Sequence, residues 1–182
     1  RGDPPSHPLL LDHLSSSFQA DSWDLKRLLR RIALSEVYGR ASGSPPASDS
    51  SNRFLSVMNR KRLDFEAMRD AMLFVSGDLD LTVGGRSVKL NKKPYSFRRA
   101  AYGFVDRQNI PALLRTFDFS NPNIHTPSRP ETTVPQQALF ALNDPFVLAR
   151  AEALGRSLAG QSPETAIRSL YRRILSRDPS PR

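Results

Sequence analysis

Residues 63–77, Leu-Asp-Phe-Glu-Ala-Met-Arg-Asp-Ala-Met-Leu-Phe-Val-Ser-Gly, indicate the fold class more clearly than any other stretch of the chain. Large apolar side chains recur there at steps of three and four, which places them on one face of a helix. Gly77 is suited to end that helix, because glycine adopts the left-handed conformation without steric cost. The stretch therefore predicts a helix with Phe65, Met68, Met72 and Val75 at helical spacing.

The same segment carries charged residues three and four positions apart, so a helix would bring them to one side. We interpret them as a structural ion-pair network of Arg62, Glu66, Arg69 and Asp70. Glu66 and Asp70 also have the spacing of a catalytic carboxylate pair, and catalysis is the alternative. General acid chemistry would need one carboxyl group with a raised pKa, whereas adjacent arginines favour the ionised form.

Two shorter helices are predicted on the N-terminal side. Ser6 and Pro8 begin the first, which runs to about Gln19, and a second follows from residues 21–22. Its buried stripe would consist of Leu25, Leu28, Leu29 and Ile32. Residues 40–51 combine prolines with small polar residues and predict a flexible loop.

The C-terminal side predicts a β-containing middle, an ordered coil and further helices. Within residues 79–107, the Gly-Gly sequence flanked by valines at 83 and 88 is typical of a hairpin. Four prolines make 108–131 a proline-rich coil with one short helix near 112–116. Helical periodicity returns at 133–177. The predicted fold is a single mainly α domain, residues 1–182, with five to six helices and a small β-hairpin.

Composition limits the classes of function. The 182 residues are 38% hydrophobic and carry a net charge of +9, without cysteine. The hydrophobic content predicts a folded chain, yet no apolar run is long enough for a membrane span. Without cysteine, this segment can form neither disulfides nor thiolate metal sites.

The excess charge lies in the second half, with 14 basic against 7 acidic residues in 91–182. A positive field of this kind attracts acidic polymers. Nucleic acid is disfavoured, because the basic residues are scattered and not interleaved with aromatic residues. The chain has three histidines, His7, His13 and His125. They lack the close spacing that metal ligands usually have, so no metal site is predicted.

A polar set in the second half forms the candidate binding site. Arginines with an aromatic platform and neutral amides could bind a sulfated or uronic sugar. Alternatively, the same arginines pin the proline-rich coil through carboxylates and backbone carbonyls. The candidate residues are Arg98, Arg99, Tyr102, Arg107, Asp118, Arg129, Gln136, Gln137 and Asn143.

Several phrases, in this order, resemble the planctomycete-specific C-terminal domain, a domain of unknown function. They are Pro5-Ser-His-Pro-Leu-Leu-Leu-Asp12, Trp23-Asp-Leu-Lys26, Asn59-Arg-Lys-Arg-Leu-Asp-Phe-Glu66, Arg69-Asp-Ala71, Thr132-Thr-Val-Pro-Gln-Gln-Ala-Leu139 and Leu142-Asn-Asp144. The resemblance covers about residues 5–178. The segment 42–51 departs from it and is interpreted as a surface insertion.

The resemblance implies a context and no catalytic residues. Such domains lie near the C-terminal end of large exported proteins, after a companion domain and often with a cytochrome-c-like module. It therefore implies a periplasmic or cell-surface location, with any haem in another part of the parent protein and no cofactor in this segment. We expect a non-catalytic interaction or scaffold module that contacts its companion domains. The alternative is a domain that binds or acts on acidic glycans in an arginine-lined groove.

Overall fold

The computed structural model describes residues 4–180 and contains seven α-helices in that range. They are α1 (Pro8–Ala20), α2 (Leu25–Ala33), α3 (Phe65–Ser76), α4 (Ala112–Thr116), α5 (Pro135–Asn143), α6 (Pro145–Ser157) and α7 (Pro163–Leu175). The predicted mainly α class is confirmed. The predicted count of five to six is too low, because Asp144 separates α5 from α6 and α4 is a distinct short helix.

Side-chain caps explain where several helices begin. An oxygen of each capping side chain accepts a hydrogen bond from a free amide of the first turn, which stabilises a helix by about 1 kcal/mol. Asp24 caps α2 by accepting the Arg27 amide at 3.1 Å, and Asp64 caps α3 by accepting the Ala67 amide at 2.8 Å. Asp144 caps α6 by accepting the Phe146 amide at 2.8 Å, and Ser162 caps α7 by accepting the Thr165 amide at 3.4 Å. Gly77 ends α3 with φ at 83°, as the sequence predicts.

The chain forms two compact units, with the boundary after Arg62. In the first unit, α1 and α2 form a helical hairpin. Trp23 meets Phe18 edge-on at 5.2 Å between ring centroids. Asp21 binds Arg27 and Arg31, each at 2.9 Å. These contacts fix the turn between the two helices.

The loop predicted at 40–51 contains a 3₁₀ turn, Ala47–Asp49, and is held by two buried polar residues. The Asp49 carboxylate accepts hydrogen bonds from the amides of Arg53 at 2.8 Å and Phe54 at 2.9 Å. Asn52 donates to the Val57 carbonyl at 2.7 Å. A buried carboxylate is tolerated when backbone amides satisfy it. The segment is therefore an ordered turn.

The core of the second unit is aromatic. Phe65 of α3 lies 5.5 Å from Phe117 and 5.9 Å from Phe140 between ring centroids, and Phe117 lies 5.4 Å from Phe140. Leu114 of α4 completes the buried cluster. The other side of α3 packs on α6, where Leu73 is fully buried. Tilted and edge-to-face aromatic pairs favour this fixed arrangement.

The predicted hairpin around Gly84 and Gly85 is not confirmed. Both glycines have positive φ, 81° and 84°, so a turn forms. The described part of residues 79–107 nevertheless contains only isolated bridges, of Asp80 with Arg98 and of Val88 with Gly103. No strand pair follows because the carbonyls of the turn bind the Arg98 side chain.

The proline-rich coil contains the predicted short helix, which is α4. None of the helices in residues 4–180 combines the length and apolar character needed to cross a bilayer.

Candidate functional site

Both carboxylates of the predicted α3 pair are engaged by arginines. Glu66 accepts two hydrogen bonds from Arg129, at 2.9 and 3.0 Å. Asp70 accepts the Ala100 amide at 2.7 Å and lies 3.4 Å from Arg99. Bidentate guanidinium contacts and hydrogen bonds to backbone amides are strong and directional. Both carboxylates are therefore held in contacts that join α3 to other parts of the second unit.

Arg69 is the most buried charged residue that the structure describes, with 1% of its surface exposed. Its guanidinium donates to the carbonyls of Arg98, at 2.9 Å, and Ser96, and lies 5.1 Å from the Phe146 ring centroid. Burial lowers the pKa of Arg69, while nearby Asp70 opposes that shift. Arg69 therefore attaches the 96–98 segment to α3.

The predicted network is thus partly assembled within the second unit. Arg69 lies 3.8 Å from Asp70, whereas Glu66 pairs with Arg129. Arg62 belongs to the first unit.

Arg98 and Tyr102, predicted as ligand-binding, organise the Gly-Gly turn. The Arg98 guanidinium donates to the carbonyls of Thr82, at 3.2 Å, and Arg86, at 2.9 Å, and also to that of Gly84. It lies 4.1 Å from the Tyr102 ring centroid. The Tyr102 hydroxyl accepts the Gly84 amide at 3.0 Å. The hydrogen bonds that the Arg98 and Tyr102 side chains make are therefore contacts within the fold.

Three more candidates hold the ends of the proline-rich coil. Asp118 accepts the amide of Thr132 at 2.9 Å and its hydroxyl at 2.7 Å. Gln137 donates to the carbonyls of Thr116 at 2.7 Å and Thr132 at 3.2 Å. Arg129, bound to Glu66, fixes the coil to α3. The pairing raises the pKa of Arg129, chiefly through its hydrogen bond to Glu66.

The remaining candidates are exposed. Arg99 makes only the long contact with Asp70, and Gln136 and Asn143 lie on the exposed side of α5. Arg107 stands apart from the others because it lines a polar pocket of about 350 Å³. The sequence prediction missed the other residues of this pocket: Gln108, Ile110, Arg115, Phe119, Asn121 and Asn123.

The first unit presents an apolar surface that we call the α2 face, defined by Leu25, Leu29 and Ile32. Their exposed fractions are 58%, 56% and 37%. No hydrophobic side chain in residues 4–62 is buried. Beside this face, α1 and α2 line a groove of about 410 Å³ with Leu10, Leu14 and Tyr38 among its residues. The stripe predicted as buried is therefore only partly covered.

A second apolar groove, of about 290 Å³, lies in the second unit among α3, α6 and α7. Arg150 is the only cation among its lining residues, and it binds Asp78. Within residues 4–180, His, Asp and Glu side chains do not gather in any group of three that could hold a metal ion.

The described residues therefore combine buried charges held in internal contacts with three open surfaces: the α2 face, the apolar groove among α3, α6 and α7, and the polar pocket beside Arg107. The chain belongs to the family described as "Protein of unknown function (DUF1553)", whose model matches residues 1–182. The assignment to a domain of unknown function is thereby confirmed, and the planctomycete origin stays a prediction. Comparison with curated proteins and with solved structures found no match.

Proposed function

We propose that this chain is a non-catalytic interaction module that binds a companion domain of a larger protein through the α2 face. The main support for this proposal is that no hydrophobic side chain of residues 4–62 is buried, although α2 has an apolar stripe. Burying a Leu or Ile side chain contributes about 1.5–3 kcal/mol. Covering the exposed halves of the three residues would therefore contribute about 2 to 5 kcal/mol.

The charge around this face favours a partner with an acidic rim. Residues 1–62 contain ten basic and six acidic residues, and Arg27, Arg30 and Arg31 lie on α2 itself. Asp21 pairs with Arg27 and Arg31, whereas Arg30 makes no ion pair with a described residue. An apolar centre with a charged rim is the usual anatomy of a protein interface.

A non-catalytic role is supported by the state of the best catalytic candidates. Glu66 and Asp70 both take part in structural hydrogen bonds, so the proposal assigns them to stability. The exported location, and a haem group elsewhere in the parent protein, rest on the family resemblance alone. The binding proposal does not depend on either.

Calorimetric titration of this chain with the companion domain from the same parent protein tests the proposal. The variant Leu25→Gln/Leu29→Gln should weaken binding by about ten- to a hundredfold, because each half-buried leucine contributes about 1 kcal/mol. The matched control is Leu139→Gln/Leu142→Gln, two exposed leucines of α5. The control should bind like the wild type.

Equal loss in both variants would contradict a specific α2 interface. So would unchanged binding of the α2 variant. Sedimentation of the chain alone gives a separate check: a dimer that the α2 variant abolishes would assign the face to self-association and overturn the companion-domain proposal.

A further inference from the structure

The polar pocket of the second unit combines two arginines, three amides and an apolar floor. We call it the Arg107 pocket, and its volume is about 350 Å³. Ligand pockets commonly measure about 300–1,000 Å³, so this one is of a size for a single small ring. Its lining residues are Arg107, Gln108, Ile110, Arg115, Phe119, Asn121 and Asn123.

Arg107 and Arg115 differ from the arginines that organise the fold. Arg69, Arg98 and Arg129 donate to carbonyls or carboxylates of the chain itself. Both pocket arginines are exposed, and neither forms an ion pair with a residue in 4–180. Their guanidinium forks remain available for an oxyanion, which they bind bidentately.

The amides are placed by the backbone and keep part of their hydrogen-bonding capacity. Asn121 accepts the Asn123 amide at 3.0 Å, which leaves its side-chain NH₂ group available. Asn123 donates to the Arg107 carbonyl at 3.3 Å, which leaves its side-chain oxygen available. The Gln108 side chain makes no hydrogen bond within the described residues. Such a mixture of donors and acceptors suits hydroxyl groups, which are both.

The floor of the pocket is fixed by the hydrophobic core. Phe119 and Ile110 pack against the cluster of Phe65, Leu114 and Phe117. Arg129, held by Glu66, lies 5.1 Å from the Phe119 ring centroid. A rigid apolar floor below polar walls fits a ring that is apolar on its face and polar at its edge.

Two carboxylates adjoin lining residues in the sequence. The exposed Asp106 carboxylate accepts the Gln108 amide at 2.9 Å, and Asp118, which precedes Phe119, accepts the Thr132 amide; neither is among the lining residues. The lining residues themselves carry two positive charges and no negative charge. The basic excess of residues 91–182 adds to the attraction of anions.

We propose that the Arg107 pocket binds one unit of an acidic saccharide, a pyranose ring that carries a carboxylate or a sulfate ester. The arginines bind the oxyanion, the three amides bind ring hydroxyls, and Phe119 with Ile110 contacts the apolar ring face. The pocket lies in the second unit and uses no residue of the α2 face. This inference therefore stands or falls independently of the proposed interaction function.

Calorimetric titration of the full chain at about physiological ionic strength tests it, since salt screens non-specific attraction. The probes are a uronic trisaccharide, a sulfated disaccharide, a neutral trisaccharide, sodium sulfate and a DNA duplex. At least one acidic saccharide should bind more than tenfold tighter than the neutral one. Whichever acidic sugar binds tighter identifies the oxyanion as carboxylate or sulfate.

Two sets of variants locate the binding. Arg107→Gln/Arg115→Gln should weaken saccharide binding at least tenfold. The control Arg86→Gln/Lys89→Gln removes the same charge from exposed side chains that form no hydrogen bond or ion pair with the described residues, and should change affinity less than twofold. Gln108→Ala keeps both arginines. It should lower the affinity for the saccharide several-fold and leave the affinity for sulfate unchanged.

The proposal is overturned if the control pair weakens binding as much as the arginine pair, because the effect would then be bulk charge. Sodium sulfate or DNA binding as tightly as the best saccharide would also overturn it. Gln108→Ala without effect on the saccharide would contradict the assigned contact with the sugar hydroxyls.

Discussion

Replacing Arg69 with Ala is expected to lower the free energy of unfolding by about 3 to 6 kcal/mol. The guanidinium donates to the carbonyls of Ser96 and Arg98 in a site that is 99% buried from solvent. Hydrogen bonds from a charged group contribute about 1.5–3 kcal/mol each, and Ala leaves both acceptors unsatisfied. Loss of the stacking on Phe146 adds to this cost.

Urea unfolding followed by circular dichroism measures the effect. The matched control is Arg99→Ala, whose side chain is 55% exposed and lies 3.4 Å from Asp70. An exposed pair of this kind contributes about 0 to 1 kcal/mol. Arg69→Lys should fall between the two, because one ammonium group cannot reproduce the planar fork. A loss below about 1 kcal/mol for Arg69→Ala would refute the assignment of Arg69 as the tie between α3 and residues 96–98.

Three further changes follow from the same contacts. Asp49→Ala removes the buried carboxylate that accepts two backbone amides, at 2.8 and 2.9 Å, and should cost about 2 to 4 kcal/mol in urea unfolding. An unchanged midpoint would refute this stabilising role of Asp49. Glu66→Gln keeps the shape of the side chain but weakens its pairing with Arg129, which fixes the proline-rich coil to α3. Protease cleavage within the coil should therefore accelerate several-fold. Equal cleavage rates would contradict the role of this ion pair in holding the coil. The hydrogen bond from Arg172 lowers the pKa of Asp178. The contribution of Asp178 to stability is therefore present above the pKa of the unfolded state, about 3.9, and is lost as the pH falls through the lower pKa of the folded state. Asp178→Asn should therefore flatten the acid side of a stability profile below about pH 4, and an identical slope would contradict this origin.

The helices could be predicted because their signals are local. The helix α3 and its stop at Gly77 depend on spacing and on the conformational freedom of glycine. Spacing does not show which positions are buried: α3 buries Phe65, Arg69 and Leu73, whereas Met68, Met72 and Val75 line the open groove. The Gly-Gly signal also predicts the turn at Gly84 and Gly85. The hairpin around it is not confirmed, and the Arg98 side chain binds three backbone carbonyls of this turn.

The candidate site was less predictable because it depends on which arginines find internal partners. The pairing of Arg129 with Glu66 spans 63 positions in the sequence, and nothing local distinguishes Arg129 from Arg107. Arg115 lies beside Arg107 only in the folded chain, and no spacing in the sequence indicates that neighbourhood. A turn signal was present at Asn121 and Asn123, but only the fold places it beside Arg107.

The partly exposed stripe of α2 shows a different limit. Spacing identifies an apolar face and does not identify what covers it. The nine residues of α2 are fewer than an isolated helix needs for stability in water, about 12 to 15. The helix therefore depends on packing, and in residues 4–62 that packing buries no hydrophobic side chain.

Hydrogen exchange of the α2 amides, compared between this chain alone and the full-length parent protein, tests the interaction proposal most directly. Amides that open easily exchange fast, and burial under a partner slows them. We predict rapid exchange of Leu28 to Ala33 in the chain alone and at least tenfold slower exchange in the parent protein. The amides of α3, already packed in the second unit, should exchange alike in both. Equal rates for α2 in the two proteins would contradict a companion domain on the α2 face.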